Sequence, residues 1–344
     1  MGTNVYQVIR LIILCSMLFP RVLPALELGI GTHFQSYEKE PDVYLKLMND
    51  FGFTSFRDDY SWSKVESEPG IYGVSKHIKK VDYAFLHSKQ YSLNSVVILN
   101  YGNKYYNKGA YPSDSQSINA FSNYAQWVAK RFKGNVKYYE IWNEWTLGTG
   151  MTKFRGNIPS AEVYYELIKK TSEAIRKVDP SAIIIAGSVN PLEQRARYIN
   201  LTDWDWCEEL IRLGVMNYID GISLHTYSFL NRYKYLRTPI GNITYIDRFH
   251  EYFSKVAGKD ISIYITETGV PNYDGPGGLS IQESAKYIKE YTNEVKKRPY
   301  IKGLWWYDLI NDGDDLNNKE DNFGFFFRDL SPKESAVEVK KMDK

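Results

Sequence analysis

Short apolar segments alternate with longer amphipathic ones from residue 26 to the end of the chain. The short segments are rich in β-branched and aromatic residues and predict strands at 26–31, 54–58, 94–100, 136–144, 182–188, 219–225, 261–267 and 302–308. In the longer segments apolar residues recur at intervals of three or four, which predicts helices over 41–51, 75–90, 115–132, 160–178, 204–213, 243–256, 280–297 and from 332. The chain therefore repeats a strand–helix unit.

The predicted helix ends carry suitable residues. Ser280 and Glu283 have the spacing of a capping box, Gly214 follows a helix where a left-handed turn is required, and Asp179 before Pro180 prevents another helix from continuing. These signals support the same division into elements.

Apolar strands with little alternation are typical of parallel sheets that are covered on both faces. Eight such units fit a closed barrel, so we predict an α/β protein with a single (β/α)8 TIM-barrel domain over residues 26–344. A doubly wound sheet is the alternative. The glycine pattern after the first strand disfavours it, because Gly29 and Gly31 are not followed by the third glycine of a dinucleotide-binding loop.

Charge excludes several classes of partner. The 344 residues include 43 Lys and Arg against 41 Asp and Glu, a net charge of +2, which gives no reason to expect nucleic acid or an anionic membrane surface as partner. Aromatic residues make up 15% of the chain. Core packing accounts for most of them, but such rings also stack on sugar faces.

The first 25 residues have the layout of a secretory signal peptide. Arg10 precedes an apolar run over 11–19, and Pro24 and Ala25 close the segment. The run is much shorter than the roughly 20 apolar residues that a membrane span needs. We therefore predict a signal over 1–25, a secreted or periplasmic mature protein with no further membrane association, and a monomer.

Two glutamates end apolar strands. Glu144 closes the fourth predicted strand and Glu267 the seventh. Barrel enzymes place their working residues at the carboxyl ends of the strands, and cleavage of a glycosidic bond needs two carboxyl groups that flank it. Each glutamate alone is more often the start of a solvated loop. Their occurrence at the same end of the barrel favours a glycosidase.

The motifs of other chemistries are missing from the sequence. It contains no His-Glu-x-x-His, clustered cysteines, Gly-x-Ser-x-Gly elbow or Walker loop. The acidic stretch over 311–321 does not match the ligand spacing of an EF-hand, and we interpret it as a solvated loop. We therefore predict no metal and no cofactor.

Residues 142–144 read Trp-Asn-Glu and residues 266–269 read Thr-Glu-Thr-Gly. Together they resemble the glycoside hydrolases of clan A, retaining (β/α)8-barrel enzymes that include families 5 and 39. Segments 140–145, 306–309 and 320–324 are most similar to family 39 and the related bacterial hydrolases of matrix exopolysaccharides, with family 5 cellulase-like enzymes next.

The resemblance implies roles for the two glutamates and their neighbours. Glu144 would be the acid/base and Glu267 the nucleophile, which requires Glu144 to stay protonated in a less solvated or crowded site while hydrogen bonds keep Glu267 ionised. Asn143 corresponds to the clan residue that binds the sugar 2-hydroxyl. Arg57 resembles the arginine that supports the nucleophile, and Tyr227 the phenol that hydrogen-bonds to it.

Further sugar-binding residues are expected at other strand ends. His225 lies two residues before Tyr227, so both should point the same way. Trp306 is our choice over Trp305 for the indole that supports the sugar, because neighbouring residues face opposite sides of a strand. Tyr101 and His33 are expected to contact more distal sugars.

The resemblance also implies an exported enzyme that acts on a β-linked oligo- or polysaccharide. Family 39 xylosidases and iduronidases carry an additional β-sandwich after the barrel, which has no counterpart in this sequence, so we expect an open groove and internal cleavage instead. Two alternatives stay open: a non-catalytic glycan-binding or polysaccharide-assembly factor on the same barrel, and a transglycosylase. A retaining enzyme requires the two carboxyl groups to lie about 5 Å apart.

Overall fold

The computed structural model describes residues 26–151, 158–193 and 201–342; the predicted signal segment lies outside the described residues. Ten strands occur in these ranges. They are β1 (Glu27–Gly31), β2 (Ser55–Asp59), β3 (Glu66–Glu68), β4 (Ile71–Tyr72), β5 (Asn94–Leu99), β6 (Tyr138–Ile141), β7 (Ile183–Val189), β8 (Gly221–His225), β9 (Ile263–Thr268) and β10 (Ile301–Trp306).

Eight of these strands form one closed parallel barrel, in the order β1-β10-β9-β8-β7-β6-β5-β2, and β3 and β4 form a separate antiparallel hairpin. The barrel closes where β1 pairs with β10, with Ile30 opposite Trp306. The described helices are α1 (Pro41–Asp50), α2 (Trp62–Val65), α3 (Lys79–His87), α4 (Ser115–Phe132), α5 (Ala161–Val178), α6 (Asp203–Arg212), α7 (Pro239–Ala257), α8 (Ile281–Lys296) and α9 (Glu334–Met342). The predicted single-domain (β/α)8 TIM barrel is confirmed.

Two apolar layers hold the barrel. The outer layer lies between strands and helices, and a smaller cluster from five strands, which includes Tyr138, Tyr264 and Trp305, fills the interior. The indole of Trp305 lies over Gly29, where an added Cβ would come within 2.1 Å of it, and donates a hydrogen bond to Ser55 Oγ at 3.0 Å. The glycine therefore makes room for the indole that fills the barrel.

Local signals in the sequence end the helices as expected. The Ser280 side chain accepts a hydrogen bond from the Glu283 N–H in a full capping box, and α5 stops at Val178 before Asp179. Gly214 has a φ of 91°, the left-handed conformation that a turn after α6 requires. No helix within the described ranges is long and apolar enough to cross a membrane.

The fourth barrel strand differs from its prediction. It ends at Ile141, three residues earlier than expected, because the chain leaves the extended conformation at Trp142, with a φ of 67°, and again at Glu144, with a φ of 49°. Left-handed conformations of this kind cost energy for residues with a Cβ and are enriched at functional sites. The hairpin and the short helix α2 were also not predicted.

Candidate active site

A cleft of about 470 Å³ opens at the carboxyl ends of the barrel strands. Every barrel strand supplies at least one lining residue at or just beyond its end, and these include Thr32, Asp59, Tyr101, Glu144, Asn190, His225, Glu267 and Tyr307. This volume lies within the range of small-molecule binding sites.

Glu267 projects into the cleft from β9, and both of its carboxylate oxygens are hydrogen-bonded. Oε2 accepts from Nη1 of Arg57 at 2.8 Å, and Oε1 accepts from the Tyr227 hydroxyl at 2.8 Å. Burial and the charge of Glu267 raise the pKa of Tyr227 well above its usual value, so the phenol keeps its proton and donates it. A cation and a hydroxyl donor thus both hold the Glu267 carboxylate in place.

Glu144 reaches the cleft from the loop after β6. Oε1 lies 2.9 Å from Nδ1 of His225, and Oε2 accepts a hydrogen bond from the Thr149 hydroxyl. Glu144 and Glu267 are equally exposed, at 17%. The two glutamates are therefore alike in exposure but have different partners: Arg57 and Tyr227 bond to Glu267, and His225 and Thr149 bond to Glu144.

The two carboxyl groups face each other closely. One oxygen of Glu144, one oxygen of Glu267 and a ring nitrogen of His225 all lie within 4.8 Å of one another. Retaining glycosidases hold their carboxyl groups about 5–5.5 Å apart, whereas inverting enzymes leave about 6.5–9.5 Å for a water molecule. The spacing suits direct attack by a carboxylate.

His225 connects the two glutamates from the end of β8. Its Nδ1 lies 3.8 Å from Glu267 Oε2 as well as close to Glu144, while its Nε2 lies 3.3 Å from Nη2 of Arg57. Burial lowers the pKa of His225, and so does Arg57, but the two carboxylates outweigh both and raise it above its ordinary value. The imidazole can therefore compensate the negative charge of the two glutamates beside it.

Arg57 is the most connected side chain of the site. It is buried on β2, and besides Glu267 it donates to Glu140 Oε2 at 2.7 Å and to Asn143 Oδ1 at 2.8 Å. Burial lowers the pKa of the guanidinium, but the charges of Glu140 and Glu267 raise it further, so Arg57 stays charged. One cation on β2 therefore positions residues from β6, the loop after β6, and β9, across the mouth of the barrel.

Glu140 is a site residue that the sequence analysis missed. It is fully buried on β6 and accepts hydrogen bonds from Ser188 and Thr266 as well as from Arg57. Burial raises its pKa, but Arg57 and His225 outweigh burial and lower it below the ordinary value. A glutamate inside an apolar strand was the available signal, since a buried carboxylate needs a charged partner.

Asn143 and Tyr101 lie side by side on the cleft wall. The amide oxygen of Asn143 accepts from Arg57, so its nitrogen must be the donor, and it bonds to the Tyr101 hydroxyl at 3.0 Å. This fixes the orientation of the amide and leaves its second N–H available for a ligand. His33 lines the same cleft at its β1 side.

The prediction for Trp306 is wrong. The side chain is fully buried and packs against Tyr291 of α8 and against Phe325, away from the cleft. The inward positions of β10 and its extension are Trp305, which fills the barrel interior, and Tyr307, which lines the cleft. Neighbouring residues of β10 do face opposite sides, as predicted, but Trp305 and not Trp306 faces inward. The sequence does not distinguish these two faces, because both tryptophans are large enough to fill either layer.

We expect the tyrosine after β10 to support the sugar in place of Trp306. Tyr307→Ala should lower kcat/KM by roughly 10-fold, which corresponds to about 1.4 kcal/mol of lost ring contact. Trp306→Ala should instead leave a cavity and reduce the free energy of unfolding by about 3–5 kcal/mol. Steady-state kinetics and denaturant titrations of both variants measure this, and a kinetic defect confined to Trp306→Ala would contradict it.

The fold and the facing carboxylates together define the class of the protein, a clan A glycoside hydrolase. A family model described as Cellulase (glycosyl hydrolase family 5) matches residues 25–308. The chain belongs to this family and is a retaining glycoside hydrolase. The predicted clan is thereby confirmed, and within it the matching model is that of family 5, which we had placed second to family 39. A comparison with curated protein sequences gave no match.

Solved structures support the same fold. A family 39 glycoside hydrolase from Bacteroides cellulosilyticus WH2 superposes with a TM-score of 0.70 at 23% identity, over 92% of this chain and 64% of that protein. Xylanase 10B from Thermotoga maritima gives 0.64 at 16% identity, over 92% and 94%. GH5_18 from Streptomyces cattleya in complex with GlcNAc gives 0.70 at 12% identity, over 92% and 79%.

Proposed function

We propose that the protein is an exported endo-β-glycosidase that cleaves an extracellular or matrix polysaccharide by double displacement, with Glu267 as nucleophile and Glu144 as acid/base. The observation that carries these roles is the pair of carboxyl groups within 4.8 Å, of which Glu267 is bound by both the Arg57 guanidinium and the Tyr227 hydroxyl. A carboxylate held in this way is the nucleophile that the reaction needs, and the neighbouring Glu144 supplies the proton.

In the first step a Glu267 oxygen attacks the anomeric carbon as the bond to the leaving sugar breaks. Glu144 gives its proton to the departing oxygen, which leaves as a hydroxyl, and a glycosyl ester remains on Glu267. In the second step Glu144 takes a proton from water, the water oxygen attacks the same carbon, and the ester bond breaks. Two inversions retain the anomeric configuration.

The surrounding residues assist these steps. Arg57 and Tyr227 bind the Glu267 carboxylate before attack and after its release. The free N–H of Asn143 is positioned to donate to the sugar 2-hydroxyl, a contact that strengthens as the ring flattens in the transition state. His225 lies between the two glutamates and compensates their charges.

An extended groove supports internal cleavage of a polymer. A second cavity of about 390 Å³ adjoins the catalytic cleft and shares Asn190, Tyr227 and Phe229 with it. It continues to Tyr233, whose ring is 48% exposed and has the Arg232 guanidinium over it at 4.6 Å, so an aromatic and a cationic side chain line this end of the groove. A chain can therefore continue beyond the catalytic residues, as an endo-acting enzyme requires. Export through the segment 1–25 and a monomeric state remain predictions.

A panel of β-linked polysaccharides tests this function. The panel includes xylan and mannan, because the similar structures comprise a xylanase and an endo-β-1,4-mannanase, and exopolysaccharide extracts. We expect mass spectrometry to find a ladder of oligosaccharides and early NMR spectra to find products of retained configuration. Monosaccharide as the sole product would contradict endo action, and products longer than the substrate would indicate transglycosylation. A bound oligosaccharide that stays intact would overturn the assignment.

A further inference from the structure

Three metal-binding side chains converge at the rim of the cleft, outside the catalytic pair. His33 follows β1, and Asp308 and Asp312 follow β10, the strand that pairs with β1 where the barrel closes. One donor atom from each residue lies within 4.8 Å of the other two. His33 Nδ1 is 3.3 Å from Asp312 Oδ1 and 4.0 Å from Asp308 Oδ2.

Asp308 gives an independent indication that this cluster binds a ligand. Its side chain is 1% exposed, and neither carboxylate oxygen has a hydrogen-bond partner among the described residues. Burial of a carboxylate without partners is costly, so such groups usually have a cation or donors beside them. The nearby Lys333 is already bonded to the side-chain oxygens of Asn272 and Asn311.

A neighbouring buried carboxylate, Asp58, has hydrogen-bond donors for both of its oxygens. Asp58 is also buried, but its Oδ2 accepts from the Thr32 hydroxyl and the Phe34 N–H, and its Oδ1 accepts from the Asp59 N–H. Both oxygens of Asp58 are therefore provided for by the protein. Asp308 instead points at His33 and Asp312, which are the two other donors of the cluster.

We propose that His33, Asp308 and Asp312 bind a divalent first-row transition metal, with Zn²⁺ as the preferred ion. One imidazole nitrogen and two carboxylates form a donor set that suits zinc, whereas Ca²⁺ prefers oxygen ligands alone. Zinc binds such donors at about 2.0–2.2 Å, which places them roughly 3.4 Å apart. His33 and Asp312 are 36% and 38% exposed, so these two side chains can move toward the buried Asp308 and leave a fourth position open to water.

This metal would be structural. It would affect substrate binding only by fixing the position of residues that line the cleft. It would link the loop after β10 to the end of β1. The cleft residue Tyr307 is next to both, because it precedes Asp308 in the chain and its ring makes an edge contact with His33, at 5.8 Å between centroids. The proposal concerns the rim cluster alone. Glu144, His225 and Glu267 also lie within 4.8 Å of one another, but the Arg57 cation is bonded to that group and repels a metal ion.

Metal titration of the full chain tests the proposal. After treatment with EDTA, isothermal titration with ZnCl2 should give one saturable site per chain, and zinc should raise the melting temperature. His33→Gln and Asp312→Asn should each weaken zinc binding at least 10-fold. The matched control is the double variant Glu144→Gln/Glu267→Gln, which removes the catalytic cluster and should bind zinc as the unmodified protein does.

Three results would overturn the proposal. These are no saturable zinc binding, zinc binding that is lost in the catalytic double variant but kept in His33→Gln, and tighter binding of CaCl2 than of ZnCl2. Circular dichroism verifies that each variant is folded. Because stoichiometry and melting temperature are the readouts, the outcome is independent of whether the proposed polysaccharide is cleaved.

Discussion

Glu267→Gln is expected to lower kcat by at least about 10⁴-fold, because the amide cannot form the glycosyl ester through which the reaction proceeds. The amide keeps the size of the carboxylate and can still accept from Arg57 or Tyr227, so the fold should survive. Kinetics on any polysaccharide that the protein cleaves, or on an aryl β-glycoside, measure the loss. Glu320→Gln, a change at the rim of the same cleft, is the matched control and should stay close to the original rate.

A smaller side chain at the same position gives a positive signal. Glu267→Gly opens a space in which azide can attack the anomeric carbon once, so azide should restore turnover and yield a glycosyl azide of inverted configuration. NMR of the product determines the configuration. Turnover by Glu267→Gln at the original rate, or a retained azide product from Glu267→Gly, would show that another group is the nucleophile.

Glu144→Ala is expected to lower kcat by about 10²–10⁴-fold on natural glycans, because the departing oxygen then leaves without a proton. The defect should shrink on aryl glycosides whose leaving group needs no proton, and the glycosyl-enzyme ester should then accumulate. Azide should accelerate its breakdown and give a product of retained configuration, since the ester on Glu267 has already inverted the carbon once.

The two azide products distinguish the roles. An inverted product from Glu144→Ala together with a retained product from Glu267→Gly would mean that Glu144 is the nucleophile and Glu267 the acid/base. Mass spectrometry of the intact Glu144→Ala protein provides a second readout, because the accumulated ester adds the mass of one glycosyl unit. An unmodified mass during steady turnover of the aryl glycoside would argue against a covalent intermediate.

The barrel could be predicted from the sequence because its strands are buried on both faces and its helices on one. The two environments give different spacings of apolar residues along the chain, and both spacings can be recognised in the sequence. The two glutamates that we propose as the catalytic pair could be selected for a related reason. Polar residues at the ends of apolar strands, such as Glu144 and Glu267, stand out against their neighbours, and parallel strands bring their carboxyl ends to one face.

Other parts of the site leave weaker signals. Alternation along a strand gives two sets of residues but not the face of each, so Trp306 was preferred where Tyr307 lies in the cleft. The left-handed conformations at Trp142 and Glu144 are imposed by tertiary contacts and are not encoded in local propensity. Glu140 was read as part of an apolar strand, because the arginine that compensates it is 83 residues away in the chain.

The indole of Trp305, which lies over Gly29, limits the direction from which a substrate can reach the site. It gives the catalytic chamber a solid floor, so no glycan can thread along the barrel axis from one end to the other. The polysaccharide that we propose as substrate would therefore lie across the mouth of the barrel, and both products would leave on the side from which the substrate entered.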